Sequence, residues 1–79
     1  MKIKTINNHC TVVYTQDRNS DTYSATVFSY DTPVIRYNGV AGRFERLWSG
    51  WSVTTQRDIN KAFPMANITK KKWNEMEVM

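Results

Sequence analysis

The stretch VIRYNGVAGRFERLW, residues 34–48, decides the fold predicted for this chain. At its centre stands Asn38-Gly39, and both residue types tolerate the positive φ angles that a two-residue hairpin turn requires. Residues 34–37 and 40–48 flank this pair and are rich in apolar and aromatic side chains, which predicts two antiparallel strands. Gly42 inside the returning strand indicates a bulge or a close backbone approach.

Strand patterns continue on the N-terminal side of this hairpin. Residues 10–15 are β-branched and aromatic, which is typical of a strand. Residues 22–30 alternate, so that Tyr23, Ala25 and Val27 share one face. Residues 16–21 are polar and predict an exposed turn between these two strands. Residues 31–33 end with a proline and interrupt the pattern, because proline cannot donate to a strand ladder.

Helical patterns follow residue 50. Ser52, Thr54 and Thr55 are all acceptable N-caps, and an apolar stripe runs through residues 59, 62 and 63. Pro64 ends this pattern, so we expect a helix over residues 54–63. Thr69 is positioned to cap a final short helix with Trp73 and Met76 facing inward.

These elements predict an α+β fold: a small antiparallel sheet of three to four strands covered by one or two short C-terminal helices. The 79 residues form a single domain, residues 1–79. A chain this short has a marginal core, so a homodimer is kept as an alternative to a monomer. Cys10 and His9 are the only residues of their types, which excludes an internal disulfide and a four-ligand zinc site. We therefore expect no cofactor and no metal.

The formal net charge of +4 favours anionic partners, either nucleic acid or an acidic protein surface. Residues 1–20 contain no apolar run of signal-peptide length, and no stretch approaches the ~20 apolar residues of a membrane span. We therefore expect a cytoplasmic protein without membrane contact.

No set of side chains predicts catalysis. Neighbouring residues on a strand point to opposite faces, so His9 and Cys10 are interpreted as an exposed histidine beside a buried cysteine. The hydroxyls of Ser52, Thr54 and Thr55 are interpreted as helix caps, with Asp58 favourable near the same helix end. The chain is thus expected not to be an enzyme.

Basic and aromatic side chains alternate along the hairpin and the segment after it. Proteins that bind single-stranded nucleic acid use this mixture, because basic side chains contact the phosphates and aromatic rings stack on the bases. The same residue types are also enriched in protein–protein hot spots. The alternative is that the aromatic rings pack beneath a helix and the arginines only line the sheet. The candidate partner-binding residues are Arg36, Tyr37, Arg43, Phe44, Arg46, Trp48, Trp51 and Arg57, with the lysine run Lys70, Lys71 and Lys72 as a second choice.

Two segments, SYDTPV (residues 29–34) and WSVTTQRDIN (residues 51–60), carry a resemblance. They are similar to a family of short uncharacterised proteins of bacteriophages and mobile elements. In that family a Ser-Tyr-x-Thr-Pro-apolar segment leads through a hairpin to an aromatic-Ser-x-Thr-Thr-x-x-His-x-Asn segment. Asp58 stands where the family usually has its histidine. The resemblance implies a viral or mobile-element origin but supplies no mechanism.

Two functions are compatible with these observations. The first is a non-catalytic phage or mobile-element protein that binds a host protein or ribonucleoprotein and inhibits a defence nuclease, as anti-CRISPR proteins do. The second is a small basic nucleic-acid-binding accessory protein. Only the second predicts binding to plain nucleic acid that weakens steeply with salt.

Overall fold

The computed structural model of the protein describes residues 2–16 and 23–78. Five antiparallel strands lie in the sheet order β1-β2-β3-β4-β5, followed by two short helices. The strands and helices are β1 (Lys2–Asn7), β2 (Cys10–Gln16), β3 (Tyr23–Ser29), β4 (Thr32–Asn38), β5 (Arg43–Arg46), α1 (Val53–Ala62) and α2 (Lys70–Glu75). The α+β class is confirmed, but the sheet has five strands and not three to four.

The additional strand is β1, which occupies an edge of the sheet and pairs only with β2 in the described part of the chain. Residues 2–5 are all exposed, so β1 lacks the buried alternation by which a strand is recognised in a sequence. Lysines at positions 2 and 4 suit an edge, because charged side chains discourage pairing with other chains. Tertiary pairing therefore forms a strand that local propensity does not predict.

The two hairpin turns differ from the prediction. Ser29 pairs with Thr32, so the tight two-residue turn lies at Tyr30-Asp31, with Tyr30 at a φ of 54°. At the predicted position, Asn38 pairs with Arg43 across a four-residue loop, residues 39–42.

The Asn38 side chain stabilises this longer loop. The Asn38 Oδ1 accepts hydrogen bonds from the backbone N–H groups of Val40 and Ala41, and the Asn38 backbone carbonyl oxygen accepts one from the Gly42 N–H. Gly42, at a φ of 68°, supplies the positive angle, while neither Asn38 nor Gly39 has one. The two-residue turn predicted at Asn38-Gly39 is therefore wrong, although the hairpin itself is present. Gly42 lies in the loop with open space around its Cα, so the bulge and the close backbone approach predicted for it are wrong as well.

Both helices begin within one residue of their predicted starts, and Ser52 is the cap that α1 uses among its three candidates. Ser52 is the N-cap of α1 and accepts from the Thr55 N–H, and Thr69 is the N-cap of α2 and accepts from the Lys72 N–H. Helix α1 ends before Pro64, which opens a single 3-10 turn, Pro64–Ala66. Trp73 on α2 is 1% exposed. The predicted helices and the inward position of Trp73 are confirmed.

The helices cover only part of one sheet face. The buried core combines Val12, Val27 and Ile35 of the sheet with Ile59 of α1 and Trp73 of α2. The far end of β2, β3 and β4 carries Tyr14, Tyr23 and Tyr37 on the same face, and these three are at most partly covered, whereas Ala25 between them is buried. A surface therefore remains open beside the helices.

No helix in residues 2–16 and 23–78 has the length and apolar character needed to cross a membrane. The turn predicted over residues 16–21 lies, apart from Gln16, outside the described residues.

Candidate functional site

Arg46, a predicted partner-binding residue, is buried and bonded to the fold. Its guanidinium donates to the backbone carbonyl oxygens of Trp48, Ser49, Trp73 and Met76 at 2.7–3.2 Å. It also lies 4.7 Å from the centre of the Trp73 ring. Hydrogen bonds from a charged donor to buried carbonyls stabilise the fold. Arg46 is thus a structural residue that joins β5 to α2.

The hairpin aromatics are partly buried and pack against the core. Phe44 lies between Tyr37 and Phe63, with ring centres 5.1 and 5.3 Å away. Trp48 and Trp51 also pack on the core. These side chains match the alternative in which the rings serve packing, and Tyr37 also lines an open groove.

Arg36 and Arg43 lie on the opposite sheet face from the helices, around Glu45. Arg36 donates to Glu45 Oε1 at 2.8 Å and to the Ser24 hydroxyl at 3.3 Å, whereas Arg43 stands 3.8 Å from Glu45 Oε2. The hydrogen bond from Arg36, above all, lowers the pKa of Glu45. The positive charge of this pair of arginines is therefore partly neutralised within the sheet.

The remaining candidates lie on the helices. Arg57 and Lys71 are exposed. Lys70 lies 5.1 Å from the centre of the Trp51 ring, and Lys72 donates from Nζ to the Ala66 carbonyl oxygen at 2.7 Å. The structure thus does not gather the predicted residues into one surface, and a partner-binding role for each exposed one stays a prediction.

A different surface has the geometry of a binding site. The strand register places Lys2, Tyr14, Ala25, Tyr37 and Phe44 in a single row across all five strands. Residues in register on one face stand side by side, about 4.8 Å apart from strand to strand. The row runs from the lysine edge to the aromatic cluster at the end of α1. It follows the border of the area that the helices cover.

Two adjoining hollows extend this row into what we call the tyrosine groove. The larger, about 740 Å³, is lined by Lys2, Ile3, Lys4, Tyr14, Gln16 and Tyr23. The smaller, about 320 Å³, is lined by Tyr14, Tyr23, Ala25, Tyr37, Gly39 and Phe63. Among these described residues, the charged side chains are Lys2 and Lys4. The tyrosine groove therefore combines aromatic rings with positive charge along one edge.

A second cluster joins the first two strands to α1. Asn7 Nδ2 donates to Asp58 Oδ1 at 2.8 Å, and His9 Nε2 lies 3.0 Å from Asp58 Oδ2. The His9–Asp58 contact has the distance of an ion pair without the alignment of a hydrogen bond. His9 also stacks on Tyr30, with ring centres 5.7 Å apart. Asp58 is thus buried and in contact with His9. The prediction that His9 is exposed is therefore wrong, and so is the prediction that Asp58 acts at the helix end.

Cys10 next to this cluster is 1% exposed. Burial, with the nearby Asp58 carboxylate as a smaller cause, raises the pKa of its thiol to about 11. The thiol is therefore protonated at neutral pH, whereas a nucleophilic cysteine needs the thiolate. The prediction that Cys10 is buried is confirmed.

The chain matches a family of unknown function (DUF8033) over residues 1–77. The chain belongs to this family. No curated protein and no solved structure matches it. The match includes β1 and both helices, so the whole sheet and the tyrosine groove lie within the DUF8033 domain.

Lys2, Lys4, Tyr14, Tyr23 and Ala25 were not predicted as site residues. Their common face depends on the pairing of β1 with β2 and of β2 with β3, which local patterns do not define. One signal was available in the sequence, because Tyr23 and Ala25 alternate on one face of a predicted strand. The position of Tyr14 opposite Ala25 required the register.

Proposed function

We propose that this DUF8033 domain is a non-catalytic protein that binds single-stranded nucleic acid through the tyrosine groove. The row of Lys2, Tyr14 and Tyr37 across one half-open sheet face is the observation on which the proposal depends. Proteins that bind single strands combine a positive groove for the backbone with aromatic rings for the bases. Sheets that present aromatic side chains to bases are one way to build such a surface.

The positions of the lysines support a backbone contact. Lys2 and Lys4 project from the same face of the edge strand, about 6.8 Å apart along it. Both are exposed, and Lys2 stands directly opposite Tyr14 in the register. If a strand of nucleic acid lay along β1, its phosphates would contact the lysines and its bases would contact the tyrosine rings.

We also propose that the protein has no catalytic role, and the surroundings of Cys10 and His9 support this proposal. The Cys10 thiol is protonated and enclosed by the core. His9 is packed between Asp58 and Tyr30, at the opposite end of the sheet from the groove.

Fluorescence anisotropy with labelled oligo(dT) and oligo(U) tests the proposal. We expect binding that weakens with salt, with a log–log slope of about 0.7 for each phosphate contacted. The double variant Lys2→Gln/Lys4→Gln should reduce this slope by about 1.4, whereas Tyr23→Ala should weaken binding at every salt concentration.

The matched control is Arg57→Gln/Lys71→Gln, which removes two exposed charges from the helices and leaves the groove intact. It should keep the wild-type slope. Absence of oligonucleotide binding by the wild-type protein at low salt, or an equal loss in the control, would contradict the proposal.

A second candidate function is the phage or mobile-element protein that binds a host protein or ribonucleoprotein and inhibits a defence nuclease in the host cytoplasm. Exposed apolar side chains favour a protein contact: Tyr30, Val40 and Met65 are 76%, 73% and 96% exposed. Pull-down of a nuclease from host lysate with wild-type protein, and its loss with Tyr30→Ser or Met65→Ser, would support this function. A partner retained equally by both variants would count against these side chains as anchors.

A further inference from the structure

We infer that Asn38 is a latent deamidation site, which the folded protein keeps unreactive through the hydrogen bond from the Gly39 N–H to the Ser24 hydroxyl. Asn38-Gly39 is the only Asn-Gly pair in the chain. Asparagine is a thermolabile residue type, and a glycine after it leaves the reacting backbone nitrogen unhindered because glycine has no side chain. The loop after β4 would carry this reaction whether or not the protein binds nucleic acid.

Deamidation begins when the Gly39 backbone nitrogen loses its proton and attacks Cγ of the Asn38 side chain. The new N–Cγ bond closes a succinimide ring, the Cγ–Nδ2 bond breaks, and Nδ2 takes up a proton and leaves as ammonia. Water then opens the ring at either carbonyl, which leaves aspartate or isoaspartate at position 38. The reaction therefore needs no reactant other than the chain itself and water.

The Gly39 nitrogen does not face the Asn38 side chain in the folded protein. Its N–H donates to the Ser24 hydroxyl oxygen at 3.3 Å. The electron pair that remains when an amide loses its proton lies along the former N–H bond, so on Gly39 it would face Ser24 and not Asn38 Cγ. Ser24 is 4% exposed and also accepts a hydrogen bond from Arg36. Because the acceptor is fixed inside the structure, the nucleophile is held out of line with its target, and the reaction is slow.

The Asn38 side chain is held in place as well. Its Oδ1 accepts hydrogen bonds from the Val40 and Ala41 N–H groups at 3.1 and 3.0 Å. Its Nδ2 donates to Glu45 Oε2 at 3.4 Å. Rotation of the side chain toward the Gly39 nitrogen would break these hydrogen bonds, which costs free energy. The two reacting groups therefore come together only when the loop after β4 opens.

The products of deamidation do not fit the closed loop. Aspartate at position 38 lacks the Nδ2 donor and brings a second carboxylate to the Glu45 oxygen that Nδ2 now contacts. Isoaspartate adds a methylene group to the backbone next to Gly39, where even a Cβ would clash with the Tyr23 carbonyl oxygen. Gly39 also lines the tyrosine groove, so the reaction would alter that surface. Deamidation would thus make an opening of the loop irreversible.

Peptide mass spectrometry after incubation at neutral pH measures the reaction at residue 38. The folded wild-type protein should deamidate at least about tenfold more slowly than the same chain in urea, where these hydrogen bonds are absent. Ser24→Ala should deamidate about fivefold faster than the folded wild type, because the Gly39 N–H loses its acceptor. Urea denaturation shows whether this variant is folded.

Ser29→Ala is the matched control, because it removes a serine hydroxyl from the same strand at the end that pairs with Thr32. It should keep the wild-type rate. Asn38→Ser should abolish the mass change at this position, which confirms the reacting residue.

Amide hydrogen exchange in the wild type gives a second measurement that does not depend on a variant. The Gly39 N–H should be protected from exchange, and conditions that speed its exchange should speed deamidation in the same proportion. Equal deamidation rates in the folded protein and in urea would overturn the inference. An unprotected Gly39 N–H, or a wild-type rate in folded Ser24→Ala, would overturn the role of the Ser24 contact.

Discussion

Arg46 Nη1 donates a 2.9 Å hydrogen bond to the carbonyl oxygen of Trp73, and the Arg46 guanidinium lies 4.7 Å from the centre of the same residue's ring. One side chain thus connects the last strand to the last helix through both the backbone and the ring. The remaining guanidinium hydrogen bonds go to carbonyl oxygens of Trp48, Ser49 and Met76. This contact holds the short C-terminal helix against the sheet, together with the 2.6 Å hydrogen bond from Trp73 Nε1 to the Gly50 carbonyl oxygen.

Arg46→Lys should lower the free energy of unfolding by about 2–4 kcal/mol in urea denaturation. A lysine keeps the charge but cannot present several N–H groups in a planar fork, so buried carbonyls would be left unsatisfied. Arg43→Lys is the control, because the Arg43 side chain is 67% exposed, and its effect should stay within about 0.5 kcal/mol. Equal effects of the two substitutions would show that the carbonyl contacts do not stabilise the fold.

Cys10 should be inert to thiol reagents at neutral pH as long as the protein is folded. Burial raises the pKa of its thiol from 9.0 to about 11, so the folded state binds the thiol proton more tightly than the unfolded chain does. The stability due to this protonated thiol is fully present below pH 9 and is lost as the pH rises from 9 to 11, by up to roughly 2–3 kcal/mol.

The measurement is the difference in unfolding free energy between wild type and Cys10→Ala as a function of pH. That difference should shift against the wild type above pH 9, because alanine has no proton to lose. A constant difference up to pH 11, or rapid labelling of native protein at pH 7, would contradict the assignment.

Glu45 should contribute stability at neutral pH that disappears in acid. The Arg36 hydrogen bond lowers the pKa of this carboxyl from 4.5, so the folded state favours the ionised form. Stability is then present above the unfolded pKa and falls as the pH drops through the folded one. Glu45→Gln should therefore be less stable than wild type at pH 7, with the gap closing at low pH. Glu75→Gln, at the exposed end of α2, should show no such gap at pH 7.

Gly39→Ala should destabilise the protein more than Gly42→Ala, by at least about 2 kcal/mol against about 1 kcal/mol. A Cβ at Gly39 would lie 1.9 Å from the backbone oxygen of Tyr23, which cannot move without disturbing β3. Gly42 has open space around its Cα, so an alanine there meets only the strain of a φ of 68°. Thermal melts of both variants test the order, and the reverse order would contradict the close approach of Gly39 to the Tyr23 backbone.

The difference between these two glycines shows where prediction from sequence ended. The Asn38-Gly39 pair predicted a hairpin, and the hairpin is present. Its turn type was wrong, because the Asn38 side chain bonds two backbone N–H groups and extends the loop to Gly42. Gly39 is instead required by a contact with Tyr23, and no local pattern contains that contact.

The residues of the candidate site were likewise predicted only in part. Arg46 was predicted to bind a partner from its place among aromatic residues, but residue type does not distinguish an arginine that faces solvent from one that is bonded to buried carbonyls. Tyr37 was identified because it lies in the hairpin. Tyr14 and Lys2 were not identified, because their neighbours belong to other strands.

The sequence by itself determined the α+β class, both helices, the Thr69 cap and the burial of Trp73, whereas it left Ser52 as one of three candidate caps of α1. These features depend on interactions within a few residues, which residue type and spacing describe. Tertiary structure alone decided that β1 joins the sheet, that Arg46 is buried, and that Tyr14, Ala25 and Tyr37 share a row. Each of these depends on strand register and on which half of the sheet the helices cover, and both arise only when distant segments pack together.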